Sequence, residues 1–301
     1  MQVLKGVGLG LIGFVLFVAL LVLGLTFTIY NTALNPQFAA NEVDKIDIPG
    51  SVHEVLANFL PDQDKAYLSG IDQTLVETMP WIYQQINYVI YGSYDYLLGK
   101  TDSFSLSFTT QPLQQSLVRN LTRVFLQSPP AEYSQLSSIE KDRYITQFQQ
   151  QITSSIPSNV EINRDLLGVD VMNSLLQVRN IFAYIRTGYF VLIALTLILI
   201  LLIALLLRDA KGILRSLGII FIVVGVLSSA IVFGLKYFVP GVLPLSNLPH
   251  GLQTWIPVVF NDLISPWEIF SISFFIGGLV LLISSFFLLR IWPVFTDRLP
   301  T

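Results

Sequence analysis

YFVLIALTLILILLIALLL occupies residues 189–207. The run carries no charge, and its polar atoms are confined to Tyr189 and Thr196. A helix of that length rises about 28 Å, close to the ~30 Å hydrocarbon core of a bilayer. The stretch therefore reads as a membrane-spanning helix. Arg208, Lys211 and Arg215 follow it at once.

Three more apolar blocks have the same character. They run from Val7 to about Tyr30, from about Leu217 to Phe238, and from about Ile269 to Trp292. Only helices or closed barrels satisfy every backbone group in lipid, and the blocks lack the period-2 alternation of barrel strands. Composition agrees. The chain has 301 residues, 53% hydrophobic and 12% charged, with a mean hydropathy of +0.64. A soluble domain carries about 25% charged residues. There is no cysteine, so disulfides, thiolate metal sites and Cys nucleophiles are excluded. A net charge of −3 does not point to nucleic acid.

Basic residues beside the helix ends set the orientation. Lys5, Arg208, Lys211, Arg215, Arg290 and Arg298 fall on one side only with four crossings, and two acids, Asp209 and Asp297, accompany them. Residues 31–186 hold ten basic and sixteen acidic residues. Both termini are expected in the cytoplasm, with 31–186 and 239–267 outside. The expected layout is a first span over 1–30, an extracytoplasmic domain with a stalk helix over 31–186, and a second span over 187–207. A link over 208–215, a third span over 216–238, an outer loop over 239–267, a fourth span over 268–292 and a tail over 293–301 follow. Block one is longer than a signal-peptide core of about 7–15 residues, so it is expected to stay as an uncleaved anchor.

The fold class is thus an α-helical membrane protein: four transmembrane helices plus a mostly helical extracytoplasmic domain with a small two-stranded β element. In that domain, Asn41 to Pro49 reads as a solvated linker containing Glu42, Asp44 and Asp47. Ser51 and Glu54 fit a capping box for a short helix stopped by Pro61. Leu68, Ile71, Leu75 and Met79 predict a helix over 64–79, and Pro80 opens another that ends at Gly99. Phe104, Leu106 and Phe108 alternate with polar residues over 103–109, as do Val160 and Ile162 over 159–163. Two short strands, able to pair, are predicted. Helices are predicted around Leu113–Val124 and Ile145–Ile152.

Val171, Leu175, Val178, Phe182 and Ile185 recur at spacings of four and three, a heptad seam. A continuous helix from about Asp170 to Leu207 is expected. Two uses are open for its upper part: packing on its own domain, or an oligomerising or force-transmitting stalk.

Gly8-Leu-Gly10-Leu-Ile-Gly13 spells GxGxxG, but a dinucleotide site needs a preceding strand. Within a span, Gly6, Gly10 and Gly13 are better read as helix-packing positions, as are Gly277 and Gly278, with Gly225 a further candidate. Lys236 stands out as a charge in an apolar block, yet it lies near the outer end beside Tyr237 and Phe238. With Trp267 and Glu268 it is expected at the membrane interface, its amine snorkelling outward. Asp62, Asp64 and Asp72 lack the ligand pattern of a calcium loop. His53 and His250 are the two histidines, and neither HExxH nor GxSxG occurs. No catalytic residue, metal ligand or cofactor is nominated. Asn120-Leu-Thr122 is a glycosylation sequon inside a predicted helix. Pro240, Pro244, Pro249, Pro257 and Pro266 punctuate the outer loop, whose Trp255, Ile256 and Phe260 need burial, by preference under the outer domain.

The topology alone resembles the membrane subunits of the mechanotransmitting ABC systems, including the cell-division one. That resemblance implies an amphipathic cytoplasmic helix coupling to an ATPase, whereas only Met1-Gln-Val-Leu-Lys5 precedes the first span here. The function expected is non-enzymatic: a scaffold, adaptor or accessory subunit of an envelope complex. Its partners are the lipid bilayer and a protein, or a second copy, bound through the outer domain and stalk. An oligomeric pore is the alternative, although Thr26, Thr28, Asn31, Ser228 and Ser229 make a thin polar stripe.

Overall fold

A computed structural model describes residues 2–242, 245 and 248–296. The structure is 83% helical, and its described residues hold one two-stranded sheet. Among the described residues, four helices are long and apolar enough to cross a membrane: Gly6–Asn31, Arg164–Leu207, Ala210–Phe238 and His250–Phe287. The predicted tail residues Asp297 and Arg298, and Pro244, lie outside the described residues.

Two compact units emerge. The first contains α1 (Gln2–Asn31), the part of α8 (Arg164–Leu207) from Ile181, α9 (Ala210–Phe238) and the part of α10 (His250–Thr296) from Pro257. Leu16, Ala19 and Leu20 of α1, Leu199 and Ile203 of α8, Leu217 and Val224 of α9 and Phe270 of α10 form its buried core. Arg208 turns the chain between α8 and α9 with a positive φ of 53°. Asp209 then caps α9, its carboxylate accepting from the Lys211 and Gly212 N–H groups. The non-helical turn between α8 and α9 is two residues long, and Lys211 and Arg215 lie on α9.

The second unit contains Ala39–Asn180 together with the segment ending at Ile256. Its helices are α2 (Pro36–Val43, entering from Ala39), α3 (Ile48–Phe59), α4 (Leu68–Leu97), α5 (Gln111–Gln127), α6 (Ala131–Ser134), α7 (Ser138–Ser155) and the start of α8. Strands β1 (Leu106–Thr109) and β2 (Asn159–Ile162) pair antiparallel, with Leu106 opposite Ile162 and Phe108 opposite Val160. Pairing satisfies backbone groups that each strand alone would leave open. Gly92 on α4 leaves room for the Leu106 side chain, with which an added Cβ would collide. Phe125 gathers Tyr133, Tyr144 and Phe148 at centroid distances of 5.1, 5.5 and 5.1 Å, and so closes α5 on α6 and α7.

Several expectations need correction. The linker over 41–49 is half helix, and Glu42 is 5% exposed rather than solvated. Helix α3 starts three residues before Ser51. Asp47 caps it by accepting from the Gly50 N–H at 3.0 Å. Either cap is chemically sound, and Ile48-Pro49 at the first helical positions favours the earlier start. Pro80 does not open a helix: α4 runs through it after a 3₁₀ turn over Asp62–Tyr67. The bond lost at Pro80 frees the carbonyl of Val76, a residue that is largely exposed. Gly70, Thr74 and Thr78 are buried on the turns before Pro80. Much of the segment 239–267, predicted as a loop, is helix as well, since Pro257 and Pro266 both lie within α10. Gly168, at φ 75° and ψ 169°, interrupts α8 just before the predicted stalk begins.

Helix α4 ends as its sequence predicts. Gly99 has φ 75°, its N–H reaches the Tyr96 carbonyl, and the Lys100 N–H reaches that of Asp95 at 2.8 Å. This double closure is the Schellman arrangement, and it favours glycine at the left-handed position. A capping box absent from the predicted set starts α7: Glu140 accepts from both the N–H and the hydroxyl of Ser137. Those bonds lower the Glu140 pKa.

Candidate functional site

In the first unit, close packing centres on α9 and α10. A Cβ added at Gly225 would sit 2.6 Å from the Phe275 nitrogen, and one at Gly278 would sit 2.7 Å from the Ile222 nitrogen. A Cβ at Gly218 would meet the Gly278 carbonyl oxygen at 3.0 Å. Small residues here let two backbones touch. Gly6, Gly10 and Gly277 have no such neighbour within 4 Å, and Gly13 meets only Ile220 Cδ1 at 3.5 Å. The sequence could not rank these glycines, because the ranking depends on which way each helix is rotated. Gly24 was not singled out, yet it accommodates Phe270 and Trp267.

Lys236 and Glu268 form an ion pair between α9 and α10. Tyr237 and Phe238 are exposed beside it. Tyr30 of α1 stacks on Tyr189 of α8 at 4.7 Å. Trp267 stands at the same end of the helices, one residue from Glu268.

The seam on α8 is unevenly covered. Val171 and Val178 are 46% and 36% exposed, while Leu175, Phe182 and Ile185 are half-buried. Arg179, which sequence reasoning missed, supplies the specific contacts within the second unit. Its guanidinium lies 4.9 Å from the centre of the Tyr96 ring and 3.5 Å from an Asp102 oxygen. Tyr96 is buried and meets Phe104 edge-on. A cation over an aromatic face is attracted by the ring quadrupole, and no apolar periodicity signals that.

A polar cluster joins α4 to α5. Glu77 Oε2 accepts from Ser116 Oγ and Arg119 Nη2, each at 2.6 Å, and from Asn120 Nδ2 at 3.2 Å. Asn120 Nδ2 also donates to Thr74 Oγ1 at 3.1 Å and to Ser116 Oγ at 3.2 Å. Three donors converging on one carboxylate hold its charged form, and the Glu77 pKa falls to about 2, led by the Ser116 bond. Ser116 and Asn120 are buried beneath the more exposed Glu77 and Arg119, and the cluster fastens α4 to α5.

Asn120 is 1% exposed. Its sequon is sealed once α4 and α5 pack. Expression in a glycosylating secretory system is expected to yield folded chain without glycan at Asn120, read as no shift on glycosidase treatment.

The remaining candidates stay apart. His53 Nδ1 lies 2.8 Å from an Asp72 oxygen, and Asp62 pairs with Lys65 at 2.6 Å. Among the described residues, no three His, Asp or Glu side chains converge as metal ligands would. No protein-family model, curated protein or solved structure matches the chain.

Proposed function

We propose that the chain is a multi-pass integral membrane protein that acts without catalysis as a scaffold, adaptor or accessory subunit of an envelope complex. Both termini are cytoplasmic and residues 31–186 lie outside. The first unit supports the membrane placement. Tyr30–Tyr189 and Lys236–Glu268 mark one end of its helices, and Arg208 marks the other. Tyr189 to Arg208 spans about 28 Å of helix, a fit to one hydrocarbon core. Paired charge and aromatic rings at one end, and basic residues at the other, match the chemistry of the two interfaces.

The observation that carries partner binding is the half-open seam of α8. Val171 and Val178 keep heptad spacing yet remain exposed, and apolar side chains so arranged are read as a contact surface. The partner is a protein or a second copy of the chain.

Two measurements test this. The natural chain has no cysteine, so single Glu132→Cys and Arg208→Cys variants report sidedness. An impermeant maleimide should label the first on intact cells and the second only after permeabilisation; the reverse pattern sinks the topology. A photo-crosslinking residue at Val178 should give one discrete adduct in cells, identified by mass spectrometry. Adducts equal to those from a site at Glu132 would remove the seam as the binding surface. Steady conductance in reconstituted bilayers would favour the pore instead.

A further inference from the structure

Glu54 does not fold back on Ser51. Its Oε2 accepts from the His250 N–H at 2.7 Å, across 196 residues of sequence. A carboxylate there supplies an acceptor, and negative charge, to the N-terminus of α10. Two neighbouring contacts complete the attachment. Trp255 Nε1 donates to the Glu42 carbonyl at 2.7 Å. Gly251 sits so close to Ser51 that an added Cβ would collide with Ser51 Oγ. His250, Gly251 and Trp255 thus bind one face of α10's start to α2 and α3.

The opposing terms are as specific. Ser51 Oγ and Glu42 Oε2 are buried without a hydrogen-bond partner. Ser51 Oγ, which lies against Gly251, recovers water when the contact opens, so closure carries a desolvation cost. Pro257 lies just beyond, inside the helix. It has no N–H to give the Gln253 carbonyl, so the first turns of α10 lack a full ladder to the rest. The Gln253 side chain instead donates backward, to the Leu248 carbonyl at 2.6 Å.

We propose that His250–Ile256 is a strap: it closes on α2 and α3 through Glu54 and the Trp255 indole, and it opens at Pro257 while the remainder of α10 stays helical. Opening uncovers the Ser51 side chain and the Glu42 carbonyl and presents the indole, so the strap gates access to that face of α2 and α3.

Hydrogen exchange on the full chain in mild detergent tests this. Glu54→Gln and Trp255→Phe should each speed exchange of the 253–256 amides by about tenfold or more, with 258–287 unchanged. Pro257→Ala restores the missing N–H and should slow the same amides by about tenfold. No change in Glu54→Gln and Trp255→Phe, or loss of protection running through 258–287, overturns the strap. If those two variants fail to fold, unchanged exchange at 253–256 in Pro257→Ala overturns it alone.

Discussion

Gly225→Ala and Gly278→Ala are expected to destabilise the chain, and Gly277→Ala is not. All three add one methyl group to a helix. Intrinsic propensity alone would make each stabilising by up to about 1 kcal/mol. The surroundings reverse the sign at two of them. The new Cβ falls 2.6 Å from the Phe275 nitrogen at position 225, and 2.7 Å from the Ile222 nitrogen at position 278. Backbone atoms cannot rotate aside as a flexible side chain can, so α9 and α10 must separate. Overpacking of this kind costs about 1–3 kcal/mol or more. A loss near the upper end lowers the melting midpoint by roughly 5–10 °C for a chain of this size. Position 277 has nothing within 4 Å. Thermal unfolding in detergent, followed by intrinsic fluorescence, reads all three. Equal midpoints across the set would mean that α9 and α10 do not touch at these glycines.

Asn120→Asp should be the most damaging isosteric change in the second unit. The substitution keeps the shape but places a buried carboxylate beside Glu77, whose Oε2 now receives the Asn120 Nδ2 proton at 3.2 Å. Stranding a charge next to a like charge costs about 3 kcal/mol or more. The pH dependence separates variant from parent. Glu77 has its pKa lowered to about 2 in the folded chain, from 4.5. Its contribution is complete above 4.5 and is lost as pH falls from there through about 2. The introduced carboxyl has the opposite sign, because Glu77 and burial raise its folded pKa. Its penalty is full above that raised value and is relieved as pH falls toward its ordinary range. Between pH 6 and 4 the variant should therefore gain stability while the parent holds nearly level. Urea unfolding monitored by tyrosine and tryptophan signals across that range gives the comparison. Parallel curves would show that Asn120 and Glu77 are not in contact.

Legibility in the sequence followed the range of the interaction. The four long apolar helices, the alternation of β1 and β2 and the stop at Gly99 were all readable, because each depends on neighbours within a few residues. Errors arose where two local solutions were both sound. Asp47 and Ser51 can each cap a helix, and Pro80 or Pro257 can start one or lie within it. Packing elsewhere in the chain made those choices. Glu54 illustrates the limit best: locally it completes a capping box, but the first turn of α10 takes its carboxylate instead.

The candidate sites divide the same way. Lys236 and Glu268 were nameable as interface residues because each stands near one end of an apolar helix, while their pairing came from how α9 faces α10. The cluster around Glu77 was invisible, since Ser116, Arg119 and Asn120 look like ordinary residues on the polar side of α5. Their roles come from facing α4.

The sequence by itself determined the helices, their apolar character and the charge at their ends, since these follow from hydrophobic period and backbone chemistry along a single segment. Tertiary structure alone decided which glycines carry a backbone contact, which carboxylate caps which helix, and why Asn120 is sealed. Those outcomes depend on helix rotation and on groups up to 213 residues apart meeting within hydrogen-bond distance, and no local periodicity records either.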